Sequence, residues 1–266
     1  MTAIISYINS THVALAVDSA ITILNNGTSR IEYGYKKLFQ IKGKKIALIQ
    51  YNNPWFCNVE INEIINDFNE YSNTRIFLTV EICFQSFINF IEENNDSKFL
   101  NVHNGLAMGL IFVGFGDLQK FVSFYRLDFI SFENGKVLFE VNEFYDMKDN
   151  NDLFTITGDS IHFALDFIEG KTVIKQSLKD EILSFVGDSK GLDILIDSEG
   201  RLLRNKIKEL DNDKQAIFCA FLIQLISKNQ QNYYLNRTVG GPIGIATIEI
   251  ENGFLEINNP NNKLEN

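Results

Sequence analysis

Met1-Thr2-Ala3-Ile4-Ile5-Ser6-Tyr7-Ile8 and His12-Val13-Ala14-Leu15-Ala16-Val17-Asp18-Ser19, joined by Asn9-Ser10-Thr11, decide the reading of this chain. Apolar runs on either side of a short polar turn predict a hairpin of buried strands. Such a hairpin holds the terminus rigid and brings Asp18 back beside Thr2. Threonine in second place matters chemically. Once Met1 is removed, as is common before so small a residue, Thr2 carries a free α-amine with a pKa of roughly 7.7–8.0. That amine can take the proton of its own hydroxyl, so one residue would serve as nucleophile and base. Taken alone, Thr2 reads more simply as an ordinary second residue, and the rest of the chain decides between the two.

Working outward, Ile21-Thr22-Ile23, Lys36-Lys37-Leu38-Phe39-Gln40-Ile41 and Ile46-Ala47-Leu48-Ile49-Gln50-Tyr51 are further β-type runs, separated by turns at Asn25-Asn26-Gly27 and Lys42-Gly43-Lys44. The opening segment therefore predicts a meander of about four strands. The composition changes at Asn52-Asn53-Pro54. Val59, Ile61, Ile64, Ile65 and Phe68 then fall at helical steps within 56–71, and Val80, Phe84, Phe87, Ile88 and Ile91 do so within 76–93, with Asn73-Thr74 as the expected N-cap of the second helix.

Strand patterns return over 107–114, 121–128, 130–132, 136–141 and 153–157, followed by a short helix over 160–169. Gly187-Asp188-Ser189-Lys190-Gly191 lacks the Walker spacing and reads as a loop. A long helix is expected over 213–230 with Asp211 near its cap, then strands over 243–250 and 254–257. Antiparallel sheets covered by helix pairs account for this order. The expectation is an α+β, four-layer αββα sandwich, one domain over 1–258 with a polar tail at 259–266.

Composition narrows the function classes. With 24 Lys and Arg against 34 Asp and Glu, the formal net charge of −10 argues against a nucleic-acid-binding surface. Cys57, Cys83 and Cys219 are far apart in sequence and fit reduced thiols, which with the absence of an export signal or a long apolar run points to the cytoplasm and away from a membrane. His12, His103 and His162 stand isolated, without HExxH or GxSxG around them, so no metal, cofactor or His-based hydrolase site is expected.

In this order of elements the chain resembles the proteasome β-subunit branch of the N-terminal nucleophile hydrolases, in a divergent form of bacterial type. Thr2 leading through alternating residues to Asp18-Ser19 matches the family's threonine, strand pair and Asp-Ser. Lys36-Lys37-Leu38-Phe39-Gln40-Ile41 matches its lysine-led strand, and Asn236-Arg237-Thr238-Val239-Gly240-Gly241-Pro242-Ile243 its Asp-x-x-Ser-Gly-Gly segment. Thr157-Gly158-Asp159-Ser160 falls at its strand-to-helix step.

The resemblance implies that Thr2 is the nucleophile of a peptidase or amidase acting through an acyl-enzyme. It implies that Lys37 is an ammonium beside the hydroxyl, that Asp18 orients Lys37, and that backbone N–H groups near Tyr51 and Asn52 form an oxyanion hole. Asp159, Ser160 and Asn236 fall where the family supports the terminal amine and the nucleophile. It implies further a peptide or amide substrate and a closed homo-oligomeric ring.

Four places depart from the pattern: Tyr51-Asn52-Asn53 replaces a glycine pair, Val239 a serine, Asn236 an aspartate, and Asp159 a serine that would help hold the terminal amine. They keep a second reading open, a non-catalytic proteasome-like structural or ring-forming subunit. Ignoring the resemblance, Asp18-Ser19 reads as a strand-ending turn and Lys36-Lys37 as an exposed strand start.

Overall fold

A strand can be apolar along its whole length only if both of its faces are covered. In the computed structural model the opening hairpin is such a case, with β1 (Ala3–Ile8) and β2 (His12–Val17) buried at every position. The structure describes residues 2–25, 28–56, 59–94, 108–133, 136–149, 152–158, 162–169, 171, 173–174, 177, 180, 195–196, 202, 204–233 and 238–257.

Two five-stranded sheets carry the fold, and every pairing within them is antiparallel. In the first, β1 and β2 lie between β12 (Leu153–Gly158) on one side and β13 (Gly244–Glu249) with β14 (Gly253–Glu256) on the other. In the second, the order is β11 (Lys136–Asp146), β10 (Ser123–Glu133), β9 (Met108–Phe115), β6 (Lys45–Asn52) and β5 (Leu38–Gln40). The architecture is α+β with antiparallel sheets.

Strand periodicity sorts the core into three clusters. Ile4, Val13, Leu15 and Val17 of the first sheet share one cluster with Ala47, Ile49, Ile111 and Val113 of the second. Their neighbours Ile5, Tyr7, Ala14 and Ala16 point the other way, into a cluster with α3 (His162–Ile168) and α4 (Asn212–Tyr233). Ile46, Leu48, Leu110 and Phe112 point into the third, with α1 (Ile61–Ser72) and α2 (Val80–Glu93). Buried side chains of this size contribute about 1.5–3 kcal/mol each, so a register slip in either sheet would be costly.

The structure corrects several expectations. The opening strands are not one meander: β1–β2 and β5–β6 belong to different sheets, and β3 (Ile21–Asn25) pairs with β4 (Thr28–Glu32) in a two-stranded sheet of its own. The first helix starts at Ile61 rather than at 56, because β7 (Trp55–Phe56) pairs with β8 (Val59–Glu60). Phe56 and Val59 are three apart by coincidence with a helical step.

The second helix starts at Val80, capped by the Thr79 hydroxyl, which accepts from the Ile82 N–H at 3.2 Å, and not by Asn73-Thr74. Both backbone groups of Phe77 are already bonded to Asp117, at 2.7 Å each, which commits the segment before Thr79 to a loop. The stretches expected at 121–128 and 130–132 are one strand, β10, with an irregular register between Leu127 and Ile130. Asp211 does cap α4, accepting from the Lys214 N–H at 2.9 Å. The 187–191 loop and the 259–266 tail lie outside the described residues.

Candidate active site

Asp18 directly follows β2 and turns back onto the residue after Thr2. Its backbone N–H donates to the Ala3 carbonyl at 3.1 Å, and its Oδ1 accepts from the Ala3 N–H at 3.0 Å, so both backbone groups of Ala3 are taken by this one residue. That double contact fixes Thr2, which is itself 3% exposed. Lys37 enters from the second sheet, one residue before β5, its carbonyl accepting from the Gln50 N–H at 2.9 Å. Its Nζ lies 2.8 Å from Thr2 Oγ1 and 3.0 Å from Asp18 Oδ1, and it also donates to the Ala20 carbonyl. Both charged side chains are fully buried.

The hydrogen bonds suit an ion pair. Lys37 faces three acceptors, Thr2 Oγ1, Asp18 Oδ1 and the Ala20 carbonyl, which match the three N–H bonds of an ammonium. Asp18 faces only donors: Lys37 Nζ and the backbone N–H groups of Ala3, Ala20 and Gly240, the last two at 3.3 and 3.2 Å on Oδ2. A protonated acid would find no acceptor there, whereas a carboxylate is fully bonded. Burial is the largest influence on both groups, pushing Lys37 down and Asp18 up, and each is then pulled back by the other's charge. The Lys37 proton is therefore held less tightly than that of an exposed lysine. Because Thr2 Oγ1 accepts from the ammonium, the hydroxyl proton is free to leave in another direction.

The donor at Gly240 depends on a tight approach. Ser19 N–H donates to the Gly240 carbonyl at 3.2 Å, and Gly241, at φ +80°, lies so close that a Cβ there would stand 2.3 Å from Ser19 Oγ. From the helix side, Gln230 of α4 accepts through Oε1 from the N–H groups of Thr238 and Val239, at 3.0 and 2.9 Å. Gln230 thus clamps the segment that presents Gly240. A cleft of about 200 Å³ opens against the pair, lined by Asp18, Ser19, Tyr35, Lys36, Lys37 and Glu256 among others.

Of the residues singled out in the sequence, Thr2, Asp18 and Lys37 meet. Tyr51 and Asn52 stand at the end of β6, next to the Gln50 that bonds Lys37, with Asn52 in the left-handed region at φ +63°. Asp159, Ser160 and Asn236 lie outside the described residues. Val239 is fully buried beside Gly240. The Ala20 carbonyl, the Gly240 N–H and Gln230 were not anticipated. The first two are backbone groups without a side-chain signature, although the Gly240-Gly241-Pro242 turn does mark the place.

Other chemistry-bearing groups are placed elsewhere. Cys219 is buried on α4 against β2, its thiol pushed up to about 12 by burial, and Cys83 is buried on α2 and pushed up further. Neither offers a thiolate near neutral pH. His12 sits at the far end of β2, bonded to Gln215 of α4. No helix among the described residues is long and apolar enough to cross a membrane.

No family model and no curated protein matches the chain. Among solved structures it is similar to the Anbu (Gly-1) mutant from Hyphomicrobium sp. strain MC1, at 14% sequence identity, covering 98% of this chain and 88% of that chain with a TM-score of 0.46.

Proposed function

We propose that this chain is an N-terminal threonine hydrolase, a peptidase or amidase that works through an acyl-enzyme once Met1 is removed. The observation that carries the reading is the buried Lys37 ammonium, 2.8 Å from Thr2 Oγ1 and held at 3.0 Å by Asp18. Burying two charges costs several kcal/mol each, and a hydrophobic pair would fill the space at less cost. Aimed at a hydroxyl one residue from the terminus, the pair has a chemical use. The three core clusters support the matching architecture, a four-layer αββα sandwich in which the nucleophile hangs from the first strand between the sheets.

The steps follow from the geometry. Thr2 Oγ1 attacks the substrate carbonyl carbon while its proton passes to the residue's own α-amine. Lys37, kept charged by Asp18, lowers the hydroxyl pKa and stabilises the negative charge as it forms. The backbone N–H of Asn52, which strand alternation turns to the same edge of β6 as the Gln50 N–H, receives the oxyanion. As the carbon–nitrogen bond breaks, the α-ammonium returns its proton to the leaving amine and an ester on Thr2 remains. Water, deprotonated by the same amine, then hydrolyses the ester and restores the hydroxyl.

The test is the intact mass of the purified chain before and after incubation with a β-lactone. Loss of Met1 and a single adduct on Thr2, absent from Thr2→Ala, is the expected result. Retained Met1 and no adduct would overturn it, since a blocked amine leaves no base.

Two observations favour a second reading. The Tyr51 ring is packed into the inter-sheet cluster at this end of the sheet, and Val239 offers no hydroxyl. On that reading the chain is a non-catalytic, proteasome-like subunit of a homo-oligomeric ring, and it keeps Met1.

A further inference from the structure

Tyr51 is held more firmly than core packing requires. Its side chain lies on the inner face of the second sheet and runs from β6 across β9 to β10. The hydroxyl donates to the Leu127 carbonyl at 3.2 Å and accepts from Arg126 Nε at 3.1 Å. Arg126 is itself pinned by Asp128 at 3.2 Å and Glu143 at 3.0 Å. The ring crosses β9 directly above Gly109: a Cβ there would stand 2.0 Å from Tyr51 Cζ, so no other residue fits beneath it. The slab is buried at 4% exposure, and its backbone is one residue from the Gln50 N–H that bonds Lys37.

The chain turns away immediately after, at the left-handed Asn52. A bulky, fixed aromatic ring therefore occupies the inter-sheet space at the end where Lys37 and Thr2 meet. Ile4, Val17 and Leu38, each next or nearly next in sequence to Thr2, Asp18 and Lys37, share its cluster.

We propose that the Tyr51 ring is the wall that limits the acyl group this site accepts, so that the substrates are amides of small, unbranched acyl chains and bulky aromatic or branched ones are excluded. The inference rests on Thr2 being the nucleophile and adds to it the substrate class. Its side-chain role is separate from any hydrogen bond donated by the Tyr51 backbone.

The experiment measures Thr2 acylation rates by intact mass with two β-lactones, one bearing a methyl and one a benzyl substituent. The readout is the benzyl-to-methyl rate ratio within each variant, which cancels any general change in reactivity. Wild type should favour the methyl probe. Tyr51→Gly should raise the ratio by at least about tenfold, the scale expected when a packed wall is removed from a specificity pocket.

Tyr51→Phe keeps the ring and should leave the ratio within about twofold of wild type, on the same scale. Tyr51→Leu keeps the core filled, should give an intermediate ratio, and serves if the glycine variant does not fold. A ratio unchanged in both Tyr51→Gly and Tyr51→Leu, with Thr2 still acylated, overturns the wall alone. A folded protein in which neither lactone acylates Thr2 overturns the nucleophile and the wall together.

Discussion

The two ends of the β1–β2 hairpin bury polar groups in opposite ways. They lie roughly 17–20 Å apart, the length of β2 at about 3.3 Å per residue. At the Thr2 end, a full positive and a full negative charge are taken out of water and one of them is aimed at a hydroxyl. At the other end His12 meets only groups that complete a scaffold. Its ring bonds Gln215 of α4, with Asn9 and Thr11 of the turn at 3.4 Å, while Asn9 Oδ1 accepts from the N–H groups of Thr11 and His12 at 2.9 Å each. Glu249 and Asp152 add negative charge near the ring, and Tyr7 packs against it at 6.0 Å between centroids. The His12 end ties turn, helix and sheet together. The Thr2 end holds a charge arrangement that packing does not need, and the proposed threonine hydrolase rests on it.

The largest expected effect comes from breaking the charged end. Lys37→Met leaves the Asp18 carboxylate buried without its cation, which should cost about 3–5 kcal/mol of unfolding free energy in denaturant titration. Acylation of Thr2 should fall by about 10²–10³-fold in the same protein, as expected when a group aimed at developing charge is lost. A stability loss with acylation intact would make the pair a structural one, like its counterpart at the other end.

The His12 end should respond in stability alone. His12→Ala leaves the Gln215 carbonyl oxygen without its partner and should cost about 1–3 kcal/mol, with the Thr2 acylation rate unchanged. A matching fall in that rate would show that the two ends communicate.

The same contrast has a pH signature. Burial holds the His12 pKa below its ordinary 6.5, against the opposing pull of Gln215, Glu249 and Asp152. Below about 6.5 the unfolded chain takes up a proton that the folded chain refuses, so stability is fully present above that pH and declines as the pH falls through it towards the lower folded value. The melting midpoint should drop between pH 7 and pH 5, and His12→Gln should remove that part of the drop. A variant with the wild-type slope would assign the titration to other groups.

The smallest effect is local. Asn52 holds φ +63°, where glycine carries no steric penalty, so Asn52→Gly should shift stability by no more than about 1 kcal/mol, and Asn52→Ala should be the less stable of the two. Calorimetry on the pair would settle the order.

How far the sequence carries depends on the range of the signal. The buried hairpin is legible because both of its faces are apolar, and the helix pair because α1 and α2 keep their stripes. The start of α1 is not, since Trp55, Phe56 and Val59 suit a helical step and a tiny hairpin equally well, and only the pairing of Trp55 with Glu60 and of Phe56 with Val59 separates them. Nothing local distinguishes β3 and β4 from strands of the main sheets.

At the site, Asp18 is expected near Thr2 from the hairpin alone. Lys37, 35 positions from Thr2 and read by itself as an exposed strand start, is placed by family resemblance and by no pattern in its neighbours. The Ala20 carbonyl and the Gly240 N–H, which complete the bonding of the pair, are backbone groups that any residue type could supply. Gln230 acts from a helix whose polar residue gives no sign of its target.

The most direct measurement is the reaction of the purified chain with a peptide epoxyketone, followed by mass spectrometry of the N-terminal peptide, because that probe closes a ring only when a hydroxyl and a free α-amine sit on the same residue. A ring adduct on Thr2, lost in Lys37→Met, is the predicted result. An N-terminal peptide that still begins with Met1, or one that begins with Thr2 and stays unmodified, would contradict it.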